Sequence, residues 1–152
     1  MNKKIETAVH LFKSDLNCAQ SVFSVYAQGF NLDSDLALGI SCGFGGGMGR
    51  LQETCGAVTG AFMVLGLHLN NKYKDNKERK EKTYAMVQEF SEKFKAIHGT
   101  LDCRALLDCD MKTEEGRRYI RENRLHETIC EKCVADSVNI IEEMITATLN
   151  SK

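Results

Sequence analysis

The chain has 152 residues, 43% of them hydrophobic, enough for one domain with a buried core. Its formal net charge of −1 excludes a global pull toward nucleic acid or an anionic membrane. The lack of proline excludes the strongest helix breaker and, with many Ala, Leu, Lys and Glu, points to an all-α fold.

In chain order, Ile5, Ala8, Val9 and Phe12 recur at helical spacing, as do Ala19, Val22, Phe23 and Tyr26. Between them, Ser14-Asp-Leu-Asn17 is rich in capping residues, and Asn17 followed by Gln20 fits a capping box. Two helices and one sharply broken helix both satisfy this pattern. Gly29 is expected to end the second segment. Asp33 or Ser34 caps a short helix predicted to run through Gly39. The glycine-rich stretch Gly43-Phe-Gly-Gly-Gly-Met-Gly49 follows. Thr54 is then the expected N-cap of a central helix through Ala57, Ala61, Val64 and Leu65 to about Leu69.

Lys72 to Lys82 is dense in charge of both signs. Phe90, Phe94 and Ile97 form an apolar stripe that Gly99 closes. Cys103 to Leu107 predicts one or two turns. Thr113, with Glu115 in the first turn, opens another helix, and Val134, Val138, Ile141, Ile145 and Leu149 line a final one. No alternating strand pattern persists and no linker or repeat interrupts the chain. The expectation is a single compact multi-helix domain over 1–152, with a glycine-rich loop before its central helix.

The charged start is followed by no apolar run of signal-peptide length, and no segment approaches membrane-spanning length. A cytoplasmic protein without membrane or nucleic-acid partners is therefore expected. Seven cysteines in a reducing compartment do not read as a disulfide scaffold, and the odd number argues the same way. Catalytic thiols, metal ligands or a redox pair fit better.

Three readings compete for the glycine stretch. A phosphate cradle would need Gly-Lys-Ser/Thr, where this chain has Gly49-Arg-Leu-Gln52, or a strand before the loop. A packing device fits Gly56, Gly60 and Gly66, which with Ala57 and Ala61 make a face of small residues. The third reading holds a thiol. Cys55 after Thr54, and Cys18 after Asn17, would each sit in the first turn of a helix. Unpaired N–H groups there favour thiolate and lower the thiol pKa. A single free cysteine often serves only as a small hydrophobe, but seven together do not read that way.

Asn17-Cys-Ala-Gln20, Gly43-Phe-Gly-Gly-Gly-Met-Gly49 and Cys55-Gly-Ala-Val-Thr-Gly60 follow one another as ordered motifs. With Cys103-Arg-Ala-Leu-Leu107 and Cys130 they resemble the C-GCAxxG-C-C family, whose members are described as redox-active. The resemblance covers nearly the whole chain. It implies that the family's four characteristic cysteines are Cys18, Cys55, Cys103 and Cys130, leaving Cys42, Cys109 and Cys133 as extras. It implies redox or cluster chemistry and names no substrate.

The remaining candidates are weaker. Cys130-Glu-Lys-Cys133, at a helix start, reads as a dithiol pair or half a metal site, but a thioredoxin context would need a βαβ unit. A zinc site would want a second close pair; Cys103 and Cys109, six apart, make a loose one, so zinc stays open. Four scattered thiolates also suit an iron–sulfur cluster. His10, His68, His98 and His126 are dispersed and read as surface or cap residues. Arg117, Arg118, Arg121 and Arg124 are interleaved with glutamates and read as a solvated face. Arg50, beside the glycine loop, reads equally as a cation that stabilises a thiolate or an anionic substrate and as an exposed residue.

The combined expectation is redox function with an unidentified redox partner. In a thiol–disulfide exchange form, Cys55 is the nucleophile and Cys18 its resolving partner. In a cluster form, Cys18, Cys55, Cys103 and Cys130 ligate an iron–sulfur centre. The alternative is a non-catalytic module that stores or senses zinc or another thiophilic metal through the same residues.

Overall fold

The computed structural model describes residues 2–150. Helix α1 (Lys3–Lys13) starts at Asn2, whose side chain accepts from the Lys4 N–H at 2.8 Å. The break before Asn17 is a true turn, with Asp15 at φ 85°. Helix α2 (Cys18–Ala27) opens on the expected capping box between Asn17 and Gln20. Gly29 does not end the segment outright; it lies in a 3₁₀ turn, Gln28–Phe30, that stops at left-handed Asn31. Asp33 caps α3 (Ser34–Cys42), which runs beyond Gly39 to Cys42.

Helix α4 (Gly56–Asn70) is the centre of the fold. Gly56 to Ala61, Val64, Leu65 and Leu69 are all buried, so this helix is apolar nearly all round, as expected of one enclosed by others. The long α5 (Asn76–His98) is capped by Asp75, so most of the charged stretch after Lys72 is its exposed first turns. Gly99, at φ 81°, terminates it. The short α6 (Cys103–Leu107) and α7 (Glu114–Glu122) are capped by Asp102 and Thr113. A π-helical turn, His126–Cys130, leads into α8 (Glu131–Asn150). That turn has no propensity signature; it accommodates one extra residue per turn where the chain must join α8.

The described residues form an all-α fold of eight helices without a strand; one antiparallel bridge pairs Thr54 with Asp102. No described helix is long and apolar enough to cross a membrane. The main core joins α2, α4, α5 and α8 through Val22, Val58, Leu65, Phe90, Phe94, Val134 and Ile141. α1 lies against α2 and α8, and α3 against α2. A satellite cluster of Cys103, Leu107, Met111 and Ile120 sits beneath α6 and α7. Ile97 and Leu149, expected on buried stripes, are instead exposed near their helix ends.

The small-residue face of α4 is real at two of its three glycines. A Cβ on Gly60 would stand 2.9 Å from the Ala19 carbonyl oxygen and 3.2 Å from Val22 Cβ, whereas nothing lies within 4 Å of one on Gly66. The two positions should therefore respond in opposite directions. Gly60→Val should lower stability by about 1–3 kcal/mol through overpacking. Gly66→Ala should raise it by up to about 1 kcal/mol through helix propensity. Urea unfolding midpoints check both.

Candidate functional site

Two helix starts meet at the site. Cys18 is the first residue of α2, and Gly56 opens α4 directly opposite. A Cβ at residue 56 would collide with Cys18 Sγ and lie 2.9 Å from the Phe44 carbonyl oxygen, so glycine is what lets the helices meet there. Cys55 is itself the N-cap of α4, at φ −49° and ψ 133°, one residue later than the expected cap at Thr54. The N–H groups of Ala57 and Val58 face its sulfur and favour the thiolate, although neither is aligned as a full capping hydrogen bond.

The segment around Cys55 is clamped to that around Cys103. The Cys55 N–H donates to Leu101 O and the Cys103 N–H to Glu53 O, each at 2.7 Å, flanking the Thr54–Asp102 bridge. Gln52, 3% exposed, staples the next loop. Its Nε2 donates to Cys109 O and its Oε1 accepts from the Met111 N–H, both at 2.8 Å, and its side chain also hydrogen-bonds Cys103.

The glycine stretch completes the enclosure. Gly46 and Gly47 are both left-handed at φ 67°, as are Gly49, Met48 and Arg50 after them, so Gly45–Met48 is a coiled turn and not a regular helix. A Cβ on Gly47 would stand 2.7 Å from Cys103 Cβ. The Gly46 N–H points at Cys18. The glycines thus let backbone approach two thiols that no other residue type could approach as closely.

A cavity of about 710 Å³ results. Cys18, Cys55, Cys103 and Cys130 all line it, joined by the extras Cys42 and Cys133, while Cys109 does not. Phe12, Leu16, Leu106 and Ile129 supply apolar wall, and Lys13 and Arg50 border it.

Electrostatics separate these sulfurs. The Cys133 thiol hydrogen-bonds Cys55 and holds it below the ordinary thiol range, outweighing the burial that opposes ionisation. The same hydrogen bond, then burial, pushes Cys133 far up. Cys18 is pushed up to about 11 by burial and by the charge on Cys55, against the N–H groups of Gly46 and Ala19. This overturns the expectation that its helix-start position lowers it: burial beside an existing thiolate outweighs the helix terminus. Cys103 is pushed up to about 12 by burial and by the neighbouring sulfurs Cys55 and Cys18. Burial raises Cys130 first, and the surrounding thiols add to it. Of the cavity cysteines with a shifted pKa, Cys55 alone is shifted toward thiolate.

The donors are those a thiophilic metal or an iron–sulfur cluster prefers. Their arrangement is not a ligand cage: among the described residues no group of three or more His, Cys, Asp or Glu is disposed to hold a metal ion.

Sequence reasoning missed several neighbours. His98 was expected at a surface or cap position, yet its side chain is only 9% exposed and its Nδ1 lies 3.9 Å from Cys133 Sγ. Asp136 Oδ2 is 2.9 Å from His98 Nε2 and 2.7 Å from Lys132 Nζ. Asp136 stands three residues after Cys133 on α8, a helical spacing legible in the chain; nothing local announces His98 or Gln52. The arginine face of α7 is largely exposed as expected, with Arg117 donating to the carbonyls of Met111 and Lys112.

A family model described as "Putative redox-active protein (C_GCAxxG_C_C)" matches residues 16–144. No curated protein and no solved structure matches the chain.

If Cys133 holds the Cys55 thiolate, Cys133→Ala should move the Cys55 titration upward. Alkylation of Cys55 at pH 7 should slow about tenfold or more, as expected for losing one hydrogen bond to a charged group. Peptide-resolved alkylation rates across pH check this; an unchanged profile would assign the thiolate to the helix terminus alone.

Proposed function

The chain belongs to the C-GCAxxG-C-C family, and on that premise we propose that it is a dithiol–disulfide exchange protein with Cys55 as its attacking group. The observation that carries the reading is that Cys55 and Cys133 are both buried on the wall of one cavity, where the electrostatics favour the thiolate on the first and the thiol on the second. We place Cys133, rather than Cys18, in the resolving role, because of the cavity sulfurs it acts most strongly on Cys55. A reducing cytoplasmic setting is part of the proposal.

The exchange balances with a disulfide substrate as the only co-reactant. The Cys55 thiolate attacks one sulfur of R–S–S–R′, forming Cys55–S–S–R and releasing R′–S⁻. Cys133, losing its proton, attacks Cys55 Sγ, forming the Cys55–Cys133 disulfide and expelling R–S⁻. Two protein thiols are oxidised and the substrate is reduced to two thiols once the leaving thiolates take up protons. Run backward, the same steps oxidise a dithiol.

A second reading keeps the family cysteines as ligands of an iron–sulfur cluster, or of a stored metal, supported by Cys18, Cys55, Cys103 and Cys130 lining one cavity. Anaerobic purification with metal and sulfide analysis separates the two. Exchange predicts a colourless, metal-free protein that mild oxidation converts to a reducible Cys55–Cys133 disulfide, mapped by mass spectrometry and lost in Cys55→Ser. Iron with acid-labile sulfide, lost on replacing any of the four family cysteines, would establish the cluster instead. Stoichiometric zinc would favour the storage or sensor module.

A further inference from the structure

We infer that His98, oriented by Asp136, accepts the proton of the Cys133 thiol in the resolving half of the exchange; the inference rests on the exchange reading above. A thiol has one proton, and Cys133 has two acceptors within reach. One is the Cys55 sulfur. The other is His98 Nδ1, at 3.9 Å. While Cys55 is a thiolate it is the stronger acceptor and holds the proton. Once Cys55 is spent in a mixed disulfide it carries no charge, and His98 is the acceptor left.

The surroundings of His98 fit a base at Nδ1. Nε2 lies 2.9 Å from the Asp136 carboxylate, which favours the tautomer with its proton on Nε2 and so leaves the Nδ1 lone pair facing Cys133. The Nε2 approach is electrostatic rather than a well-aligned hydrogen bond. Phe94 stacks on the imidazole at 4.4 Å between centroids and fixes its plane. The groups facing this pair from α8 are Asp136 and Cys133, with Lys132 Nζ on the same Asp136 Oδ2 that faces His98. From α4, α2 and the π turn, Cys55, Cys18 and Cys130 act on Cys133 and disfavour its thiolate. The thiol proton must leave Cys133 before its sulfur can attack, and the His98 Nδ1 contact at 3.9 Å places an acceptor beside it.

In the resolving step the Cys133 proton moves to His98 Nδ1, the Cys133 sulfur attacks Cys55 Sγ, and R–S⁻ leaves. The imidazolium, steadied by Asp136, returns the proton to the departing thiolate or to water. His98 thus touches a reacting sulfur, and Asp136 is a positioning residue.

The test uses the reduced chain with Cys42→Ser and Cys109→Ser, mixed with one equivalent of an aromatic disulfide that releases a coloured thiolate. The first release reports attack by Cys55 and the second reports resolution by Cys133. His98→Gln should leave the first release unchanged and slow the second at neutral pH at least tenfold, within the usual range for a lost acid–base group. The gap should close as pH rises and Cys133 ionises without help. Asp136→Asn, which spares the His98–Phe94 stack, should slow the second release less, and it carries the test if His98→Gln loses helix content. Wild-type resolution rates in both variants, or a deficit of equal size at every pH, would overturn the role of His98. Failure of the parent protein to give a second release or a Cys55–Cys133 disulfide would overturn the exchange reading itself.

Discussion

At residues 56 and 60, α2 and α4 come closer than any side chain would permit. Gly56 yields its space to Cys18 Sγ and to the Phe44 carbonyl, and Gly60 yields to Ala19 and Val22. This approach sets two helix N-termini side by side, each bearing a cysteine, and the remainder of the site is built against it. The left-handed glycine turn covers one side, the backbone clamp between Cys55 and Cys103 another, and the π turn and the start of α8 bring Cys130 and Cys133 to the cavity wall. Overpacked at either glycine, the chain could keep its helices and still lose the cavity.

Gathering buried thiols around one cavity has an electrostatic consequence. Every additional thiolate is opposed by burial and by the charge already present, and both effects are stronger away from water. The first ionisation therefore suppresses the rest: Cys18 and Cys103 rise to about 11 and about 12 while Cys55 falls. Cys133 acts most strongly on Cys55 and favours its thiolate. Without a bound cation the site therefore holds one sulfur shifted toward thiolate with protonated thiols around it.

Much of this architecture was legible in local sequence, because capping and helical periodicity are local. Asn17 with Gln20, Asp33, Thr113 and Gly99 each mark a helix end found in the structure. The family cysteines facing one cavity followed from the ordered motifs, and the thiol-holding use of the glycines from their lack of Cβ. What escaped was tertiary. Cys18 sits at a helix start as expected, but its ionisation depends on burial beside a second sulfur. His98 and Gln52 earn their places through partners far along the chain, and the π turn has no propensity signature.

The central claim is that one thiolate, on Cys55, dominates the reduced site. The most direct measurement is an anaerobic pH titration of protein labelled with ¹³C at cysteine Cβ, following each assigned resonance. The account predicts that the Cys55 resonance moves first, below the ordinary thiol range near pH 8.5, and that Cys18 and Cys103 stay protonated until about pH 11 and 12. A Cys18 resonance that titrates before Cys55, or a Cys55 resonance that does not move below that range, would contradict it.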